Sequence, residues 1–255
     1  MGFDFRTYAP RQRTALPRNG RIFGPAAAVL LLIALTGCLY PDSMRGENQV
    51  TGTEYVAVVQ SAVDQYVAAN SVLPIKNSTL DTPIYEKYVI DFGKLLDTPY
   101  LSMVPPNAFE KGGTNLYVLV DVETKPLVRL LDLRTAQAVN DVQRKVDAHR
   151  HAGGGIPLGD PAAASWHTID YGALGISPVQ VKSVFSGRFL TLLINREGKV
   201  IVDYGPDLMT LIQSKALQPK SDADLRALLI EHSLYVPVKS AAYYWRNNEP
   251  AIAAG

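Results

Sequence analysis

The segments YVIDFGKL (residues 88–95) and HTIDYGAL (residues 167–174) are two versions of one pattern, and their repetition decides the fold. In each segment an isoleucine, an aspartate, an aromatic residue and a glycine follow one another, at 90–93 and at 169–172. Each copy is followed by an apolar run, a short polar turn and a second apolar run, which is typical of a β-hairpin. The sequence therefore predicts two related units in tandem.

The two predicted hairpins are LYVLVDVETKPLVRLLD (116–132) and FLTLLINREGKVIVDYGPD (189–207). In the second hairpin, Gly198 can adopt the positive φ that a tight turn requires. The first hairpin has Pro126 after its turn. Because proline cannot donate a ladder hydrogen bond, we expect its second strand to be an edge strand.

A helix is predicted before each copy. Residues 54–70 place apolar side chains at helical spacing, and Thr51 with Glu54 fits a capping box at the helix start. The second helix carries Val139, Val142 and Val146 on one face. A third, closing helix is predicted after Ser221 and Asp224, which resemble caps.

The N-terminal segment is typical of a bacterial lipoprotein signal peptide. An arginine-rich start precedes an apolar run that is too short to span a bilayer, where about 20 residues are needed. Residues 35–38, Leu-Thr-Gly-Cys, look like a lipobox, which implies cleavage between Gly37 and Cys38 and diacylglyceryl transfer to the Cys38 thiol. The alternative is a simple N-terminal membrane anchor with an incidental cysteine. The predicted location is the extracytoplasmic face of the bacterial membrane.

These patterns predict an α+β fold with two tandem helix-plus-β-hairpin units packed together and a closing C-terminal helix. The predicted divisions are a signal peptide (1–37), a tether (38–50), a first unit (51–133), a second unit with the closing helix (134–247) and a frayed tail (248–255).

Composition narrows the function classes. The formal net charge of +1 comes from arginines in the predicted signal segment, and no basic block remains to bind nucleic acid. Cys38 is the single cysteine, so a disulfide within the chain is excluded. Motifs of serine hydrolases, zinc proteases and phosphate-binding loops are missing, which favours a non-catalytic role without a cofactor.

Asp91 and Asp170 are the first candidates for chemistry, because two carboxylates can divide acid and base roles. The alternative is that each caps the turn that follows it. Repetition favours capping, since a structural role recurs in every copy of a unit and an active site usually does not. Asp147, His149 and His151 suggest a metal site, but residues two apart on a helix point in different directions. We therefore predict no metal site and interpret the histidines as residues that complement the helix dipole.

Aromatic residues are the remaining candidates for binding, because exposed rings suit a glycan or a protein partner, whereas buried rings are core. The apolar loop at 103–109 is either a contact between the units or a docking loop. The candidate binding residues are Tyr85, Tyr88, Phe109, Trp166, Tyr243, Tyr244 and Trp245.

The unit order and the segment YVIDFGKLLDTPYLSMVPPNAFEKGGTNLYVLVDVE (88–123) resemble uncharacterised lipoproteins of endospore-forming Gram-positive bacteria, over most of residues 51–247. Some of these proteins carry the label of transporter-associated binding protein, and the resemblance implies no residue roles. We expect a membrane-anchored binding or scaffolding module for an envelope protein or a cell-wall component. The alternatives are the solute-binding lipoprotein of an ABC transporter and an envelope hydrolase.

Overall fold

The computed structural model describes residues 43–254. Of these residues, those from Asn48 onward belong to one compact body. The predicted cleavage and lipidation site at Gly37 and Cys38 lies outside the described residues. Helices and antiparallel hairpins make up the described chain, which confirms the predicted α+β class.

The described chain contains five α-helices, a short 3-10 turn and nine strands. The helices are α1 (Ser43–Asn70), α2 (Phe92–Leu96), α3 (Leu133–His151), α4 (Gly205–Ser214) and α5 (Arg226–Glu231), and the 3-10 turn is Phe109–Lys111. The strands are β1 (Asn115–Val120), β2 (Leu127–Asp132), β3 (Leu158–Ala163), β4 (Trp166–Ile169), β5 (Gln180–Lys182), β6 (Phe189–Asn195), β7 (Val200–Val202), β8 (Tyr243–Arg246) and β9 (Glu249–Ile252).

The first unit packs α1 against the β1–β2 hairpin. Val59, Ala62 and Val63 are fully buried on one face of α1, at the spacing that brings side chains to the same side of a helix. The helix begins at Ser43, so the predicted start at Thr51 is wrong. Helical backbone continues through the predicted cap and through residues 43–50, which the sequence suggested as a tether.

The second unit repeats this order with α3 and the β6–β7 hairpin. Val139, Val142 and Val146 of α3 are buried in the core of this unit, as their spacing predicts. Asp132 begins the helix by accepting a hydrogen bond from the Thr135 N–H, at 3.2 Å. Both predicted hairpins are present, with Leu119 opposite Val128 and Leu192 opposite Val202.

The strands outside the hairpins are equivalent in the two units but differ in length. In the second unit, β3 pairs with β4 and β4 pairs with β6, all antiparallel. In the first unit, single antiparallel bridges, Ile75 to Ile90 and Val89 to Val118, take the place of these strands. The first unit is therefore the same arrangement with its outer strands reduced to bridges.

The segment 234–239, which ends in a turn at Val238-Lys239, contacts both hairpins. The Leu130 N–H donates to the Leu234 carbonyl at 2.7 Å, and the Val202 N–H donates to the Lys239 carbonyl at 2.9 Å. Leu130 lies in β2 and Val202 in β7, so one segment contacts the last strand of each unit. The predicted closing helix is the short α5, whose Leu229 and Ile230 are buried.

The predicted tail at 248–255 is wrong for residues 249–252, which form β9 and pair with β8. The turn between these strands is Asn247-Asn248, with φ values of 50° and 62°. Two residues at positive φ are what a type I′ hairpin turn requires, and asparagine tolerates this conformation better than most residues. Ile252 is buried in the core of the second unit, so residues 249–252 are part of the fold.

Candidate functional site

Asp91 and Asp170, the two candidate acid–base residues, cap the turns that follow them. The Gly93 N–H donates to Oδ1 of Asp91 at 3.0 Å, and the Ala173 N–H donates to Oδ1 of Asp170, also at 3.0 Å. Their own N–H groups donate to the equivalent carbonyls of Pro74 (2.8 Å) and Pro157 (2.9 Å). The capping interpretation is confirmed, and it assigns both carboxylates a structural role.

A third copy of the cap lies at Asp203-Tyr204-Gly205, which sequence reasoning missed. The Gly205 N–H donates to Oδ1 of Asp203 at 2.9 Å, at the start of α4. The hydroxyl of Tyr243 donates to the same Oδ1 and accepts a hydrogen bond from the Tyr204 N–H, both at 2.9 Å. The signal was present in the sequence, because an apolar strand, an aspartate, an aromatic ring and a glycine occur here too.

Two glutamines of the helices hold the hairpins, and sequence reasoning missed them as well. Gln60 of α1 accepts from the Val128 N–H at 2.7 Å and donates to the Pro126 carbonyl at 2.9 Å. Gln143 of α3 does the same with Val200 and Gly198, both at 2.8 Å. Each glutamine belongs to the shared pattern Val-Gln-x-x-Val-Asp, at 59–64 and 142–147.

The histidines that suggested a metal site lie on the last turn of a continuous helix. Because α3 runs to His151, His149 and His151 do not share a face. Asp147 accepts a hydrogen bond from the Gln143 amide at 3.0 Å. Within residues 43–254, no group of three or more metal-binding side chains converges on one point.

The candidate aromatic residues do not form a common surface. Trp166 and Tyr243 are each 1% exposed, so the predicted role of these two rings in binding is wrong. Both rings lie in the core of the second unit, and their polar atoms are hydrogen-bonded within the protein, Trp166 through a hydrogen bond to the Ala253 carbonyl at 2.8 Å. Tyr85 lies half-buried with Arg226 over its ring at 4.9 Å. Tyr244 and Trp245 are half-buried neighbours in β8, where successive side chains point to opposite faces of the strand. The half-buried Tyr88 packs against the core of the first unit, whereas Trp245 packs against the core of the second.

Phe109 is the candidate that remains exposed, at 59%, and it lies in the apolar loop at 103–109. Met103 of the same loop is 62% exposed, whereas Val104 and Ala108 are buried and fix the loop to the core. Asn107 accepts a hydrogen bond from the Tyr117 hydroxyl at 2.7 Å. The buried Val104 and Ala108 and the hydrogen-bonded Asn107 therefore position the loop that carries the exposed Met103 and Phe109.

An open cavity of about 470 Å³ lies beside Phe109. Phe109, Leu133 and Ala136 supply its apolar part, and Arg134, Gln137 and Asn140 of α3 supply polar groups. The cavity is bounded by the chain around Gly113, where a Cβ atom would come within 2.1 Å of the Asn107 carbonyl oxygen. Glycine is required at 113 for this close approach of two chain segments.

A second cavity, of about 150 Å³, lies where α4, α5 and the β5–β6 turn meet. Its buried charged residue is Asp207 of α4, which is 2% exposed. Oδ2 of Asp207 accepts a hydrogen bond from the Ser183 hydroxyl at 2.6 Å, and Oδ1 accepts one from the Ser186 hydroxyl. Burial raises the pKa of this carboxyl, while the two serine hydroxyls and the charge of Arg188 oppose that effect.

None of the helices formed by residues 43–254 is both long enough and apolar enough to cross a membrane.

A comparison with protein-family models finds one segment of this chain. Residues 52–132 match the model of the YphF family N-terminal domain. The matched segment runs from within α1 to the end of β2, which is the first helix-plus-hairpin unit. No curated protein and no solved structure matches the chain. The first unit is therefore similar to the N-terminal domain of the YphF family, which is consistent with the uncharacterised bacterial family that the sequence resembles.

Proposed function

We propose that this protein is a lipid-anchored lipoprotein on the extracytoplasmic face of a bacterial membrane, where it acts as a non-catalytic binding or scaffolding module. The observation that supports the location is the lipobox-like sequence at 35–38, preceded by an arginine-rich start and an apolar run. The single cysteine of the chain occupies the position that a lipobox requires. Stable anchoring takes two acyl chains or two signals, and a diacylglyceryl group supplies two chains.

The binding role is supported by Met103 and Phe109, which are exposed on a loop whose Val104 and Ala108 are buried in the core. Aromatic residues and methionine are enriched at protein–protein interfaces, and a fixed anchor loses little conformational entropy on binding. We therefore propose an envelope protein as the partner of this surface. Both carboxylates of the hydrolase alternative accept backbone hydrogen bonds as turn caps, which supports the non-catalytic proposal.

The location is tested by replacing the acceptor of the lipid. Cells expressing the wild type or Cys38→Ala are fed a fatty-acid analogue that can be detected after purification of the protein. The wild type should be labelled and shortened by signal cleavage, and Cys38→Ala should be unlabelled and full length. Equal labelling of the two proteins would contradict the proposed anchor.

The binding surface is tested by photocrosslinking in cells. A photoreactive phenylalanine analogue replaces Phe109 in one variant and Asp222, an exposed residue of another loop, in the control. A partner at this surface should give one reproducible crosslinked species at position 109 and none at 222. The same species at both positions, or none at 109, would argue against a docking role for this loop.

A further inference from the structure

Asp207 is a buried carboxylate without a cationic partner in contact. Among the described residues, no lysine or arginine lies within ion-pair distance of it, and its hydrogen-bond partners are the neutral hydroxyls of Ser183 and Ser186. The nearby charge of Arg188 acts on Asp207 from beyond that distance. A charge removed from water is costly unless it is paired, so this carboxylate has unused capacity to bind a cation.

The cavity beside Asp207 offers hydrogen-bond acceptors and few donors. Four side-chain hydroxyls line it, and each already donates its hydrogen to an acceptor of the protein. A hydroxyl has one hydrogen and two acceptor positions. The oxygen atoms of Ser186 and Ser233 each accept one backbone hydrogen bond, from the Arg188 and Tyr235 N–H groups, and keep one acceptor position. Those of Thr210 and Ser214 keep at least one. The four donations are Ser186 to Asp207, Thr210 to the Pro206 carbonyl, Ser214 to the Leu211 carbonyl and Ser233 to the Tyr235 carbonyl.

This polarity selects the charge of a ligand. An alkylammonium group has three hydrogens to donate and no acceptor, so it complements a wall of oxygen atoms beside a carboxylate. An anion would bring more acceptors into a site that lacks free hydroxyl hydrogens. Repulsion by Asp207, whose neighbours include a second carboxylate, Asp203, would exclude an anion further.

The apolar part of the wall selects the rest of the ligand. Leu211 and Leu229 offer contacts for methylene groups, and the ring of Phe185 also lines the cavity. Aromatic faces attract cations at short range. Phe185 is held in place by an edge-to-face contact with Tyr204, with ring centroids 5.6 Å apart. The volume, about 150 Å³, is well below the roughly 300–1,000 Å³ of drug-sized sites, so it suits a short chain.

We infer that the cavity bounded by Asp207, Phe185 and Leu229 binds a primary alkylammonium group on a short carbon stem. The group would come from a free small amine or from a lysine-type side chain of a peptide, which present the same chemistry. Its ammonium donates to Asp207 and to the hydroxyl oxygens of Thr210 and Ser214, and its stem contacts Leu229. The site does not depend on the lipid anchor or on the Phe109 surface.

The test titrates the purified protein with propylammonium and follows backbone amide shifts by NMR. The titrations are run at about pH 8, where a primary amine with the ordinary lysine pKa of about 10.4 stays protonated. The amides of Phe185, Ser186 and Leu211 should shift in a saturable manner. 1-Propanol and propionate, which match the stem but lack the charge or reverse it, should bind at least about tenfold more weakly, a difference of about 1.4 kcal/mol.

Two variants test whether propylammonium binding requires the Asp207 carboxylate and the open cavity. Asp207→Asn keeps the shape and should weaken propylammonium binding by at least about tenfold, because a charge-assisted hydrogen bond is replaced by a neutral one. Ser214→Leu should also abolish binding, because the larger side chain fills the cavity. This variant keeps the hydrogen bonds of Asp207, so it tests the site even if Asp207→Asn does not fold. Asp170→Asn, which alters an exposed turn cap, is the control and should bind as the wild type does.

A second arm distinguishes the two sources of the ligand. Nα-acetyl-lysine methylamide binding as tightly as propylammonium would identify a lysine-type side chain, and tighter binding of propylammonium would identify a free amine. No saturable shift with either probe would overturn the inference. Equal binding by wild type and both cavity variants, or equal binding of propionate, would overturn it as well.

Discussion

Gln60 and Gln143 hold the two hairpins of this protein by the same pair of hydrogen bonds. Each side chain accepts from a backbone N–H of the second strand and donates to a carbonyl two residues earlier, at distances of 2.7–2.9 Å. Each also donates to an aspartate one helical turn further on, Asp64 at 2.8 Å and Asp147 at 3.0 Å. The repetition is therefore one of tertiary contacts as well as of element order.

Removing these glutamines should destabilise the protein. Gln60→Ala and Gln143→Ala each leave a part-buried N–H and carbonyl without their partner, which costs about 1–3 kcal/mol per unsatisfied group. We expect the free energy of unfolding, measured in urea, to fall by at least about 1 kcal/mol for each variant. Gln137→Ala is the control, because Gln137 is exposed and bonds to the neighbouring Asp141. A loss of stability in Gln137→Ala as large as that in Gln143→Ala would contradict a stabilising role for the hydrogen bonds of Gln143 to the hairpin.

The caps at Asp91 and Asp170 predict an order of stability. Asparagine can also cap, so the melting temperature should fall in the order wild type, Asn variant, Ala variant at both positions. Loss of a cap costs about 0.5–2 kcal/mol, which sets the scale of the Ala effect. Differential scanning calorimetry measures the order. Asn variants that melt above the wild type would reopen a functional role for these carboxylates.

The two turn caps could be predicted from the sequence. The contacts of Gln60 and the surroundings of Asp207 could not, because they depend on tertiary folding. Asp91 and Asp170 act on backbone groups two or three residues away, so a local pattern is enough to find them. Gln60 bonds to residues 66 and 68 positions away, and a glutamine on a helix otherwise looks like a solvent-facing residue. Asp207 depends in the same way on Ser183 and Ser186, which tertiary folding brings to it.

Which aromatic residues are buried could not be predicted from the local sequence either. Composition alone does not distinguish Phe109, which is exposed, from Trp166 and Tyr243, which are core. Burial of Trp166 depends on the Ala253 carbonyl, 87 residues away, which becomes available because the chain end folds into β9. The Asn247-Asn248 turn was the local signal for that strand.

The buried Asp207 should make stability depend on pH. Burial raises the pKa of its carboxyl in the folded state above the ordinary value, 3.8. Between the unfolded and folded values the native state binds more protons, so the free energy of unfolding falls as pH rises through this window. Urea titrations from pH 3 to pH 7 should show the wild type losing stability relative to Asp207→Asn as pH increases. A difference between the two proteins that is constant across this range would contradict the assignment.

A frayed tail and a folded β9 strand predict different effects of one substitution in the C-terminal hairpin. Ile252 of β9 is 7% exposed and lies in the core of the second unit, together with Trp166 and Tyr243. Ile252→Ala should lower the free energy of unfolding by about 2–5 kcal/mol, the usual cost of truncating a buried isoleucine. Ile84→Ala is the matched control, since Ile84 is 61% exposed and such surface changes are usually within about 0.5 kcal/mol. Urea unfolding of both variants decides the matter, and equal stability of Ile252→Ala and the wild type would show that the chain end does not pack on the core.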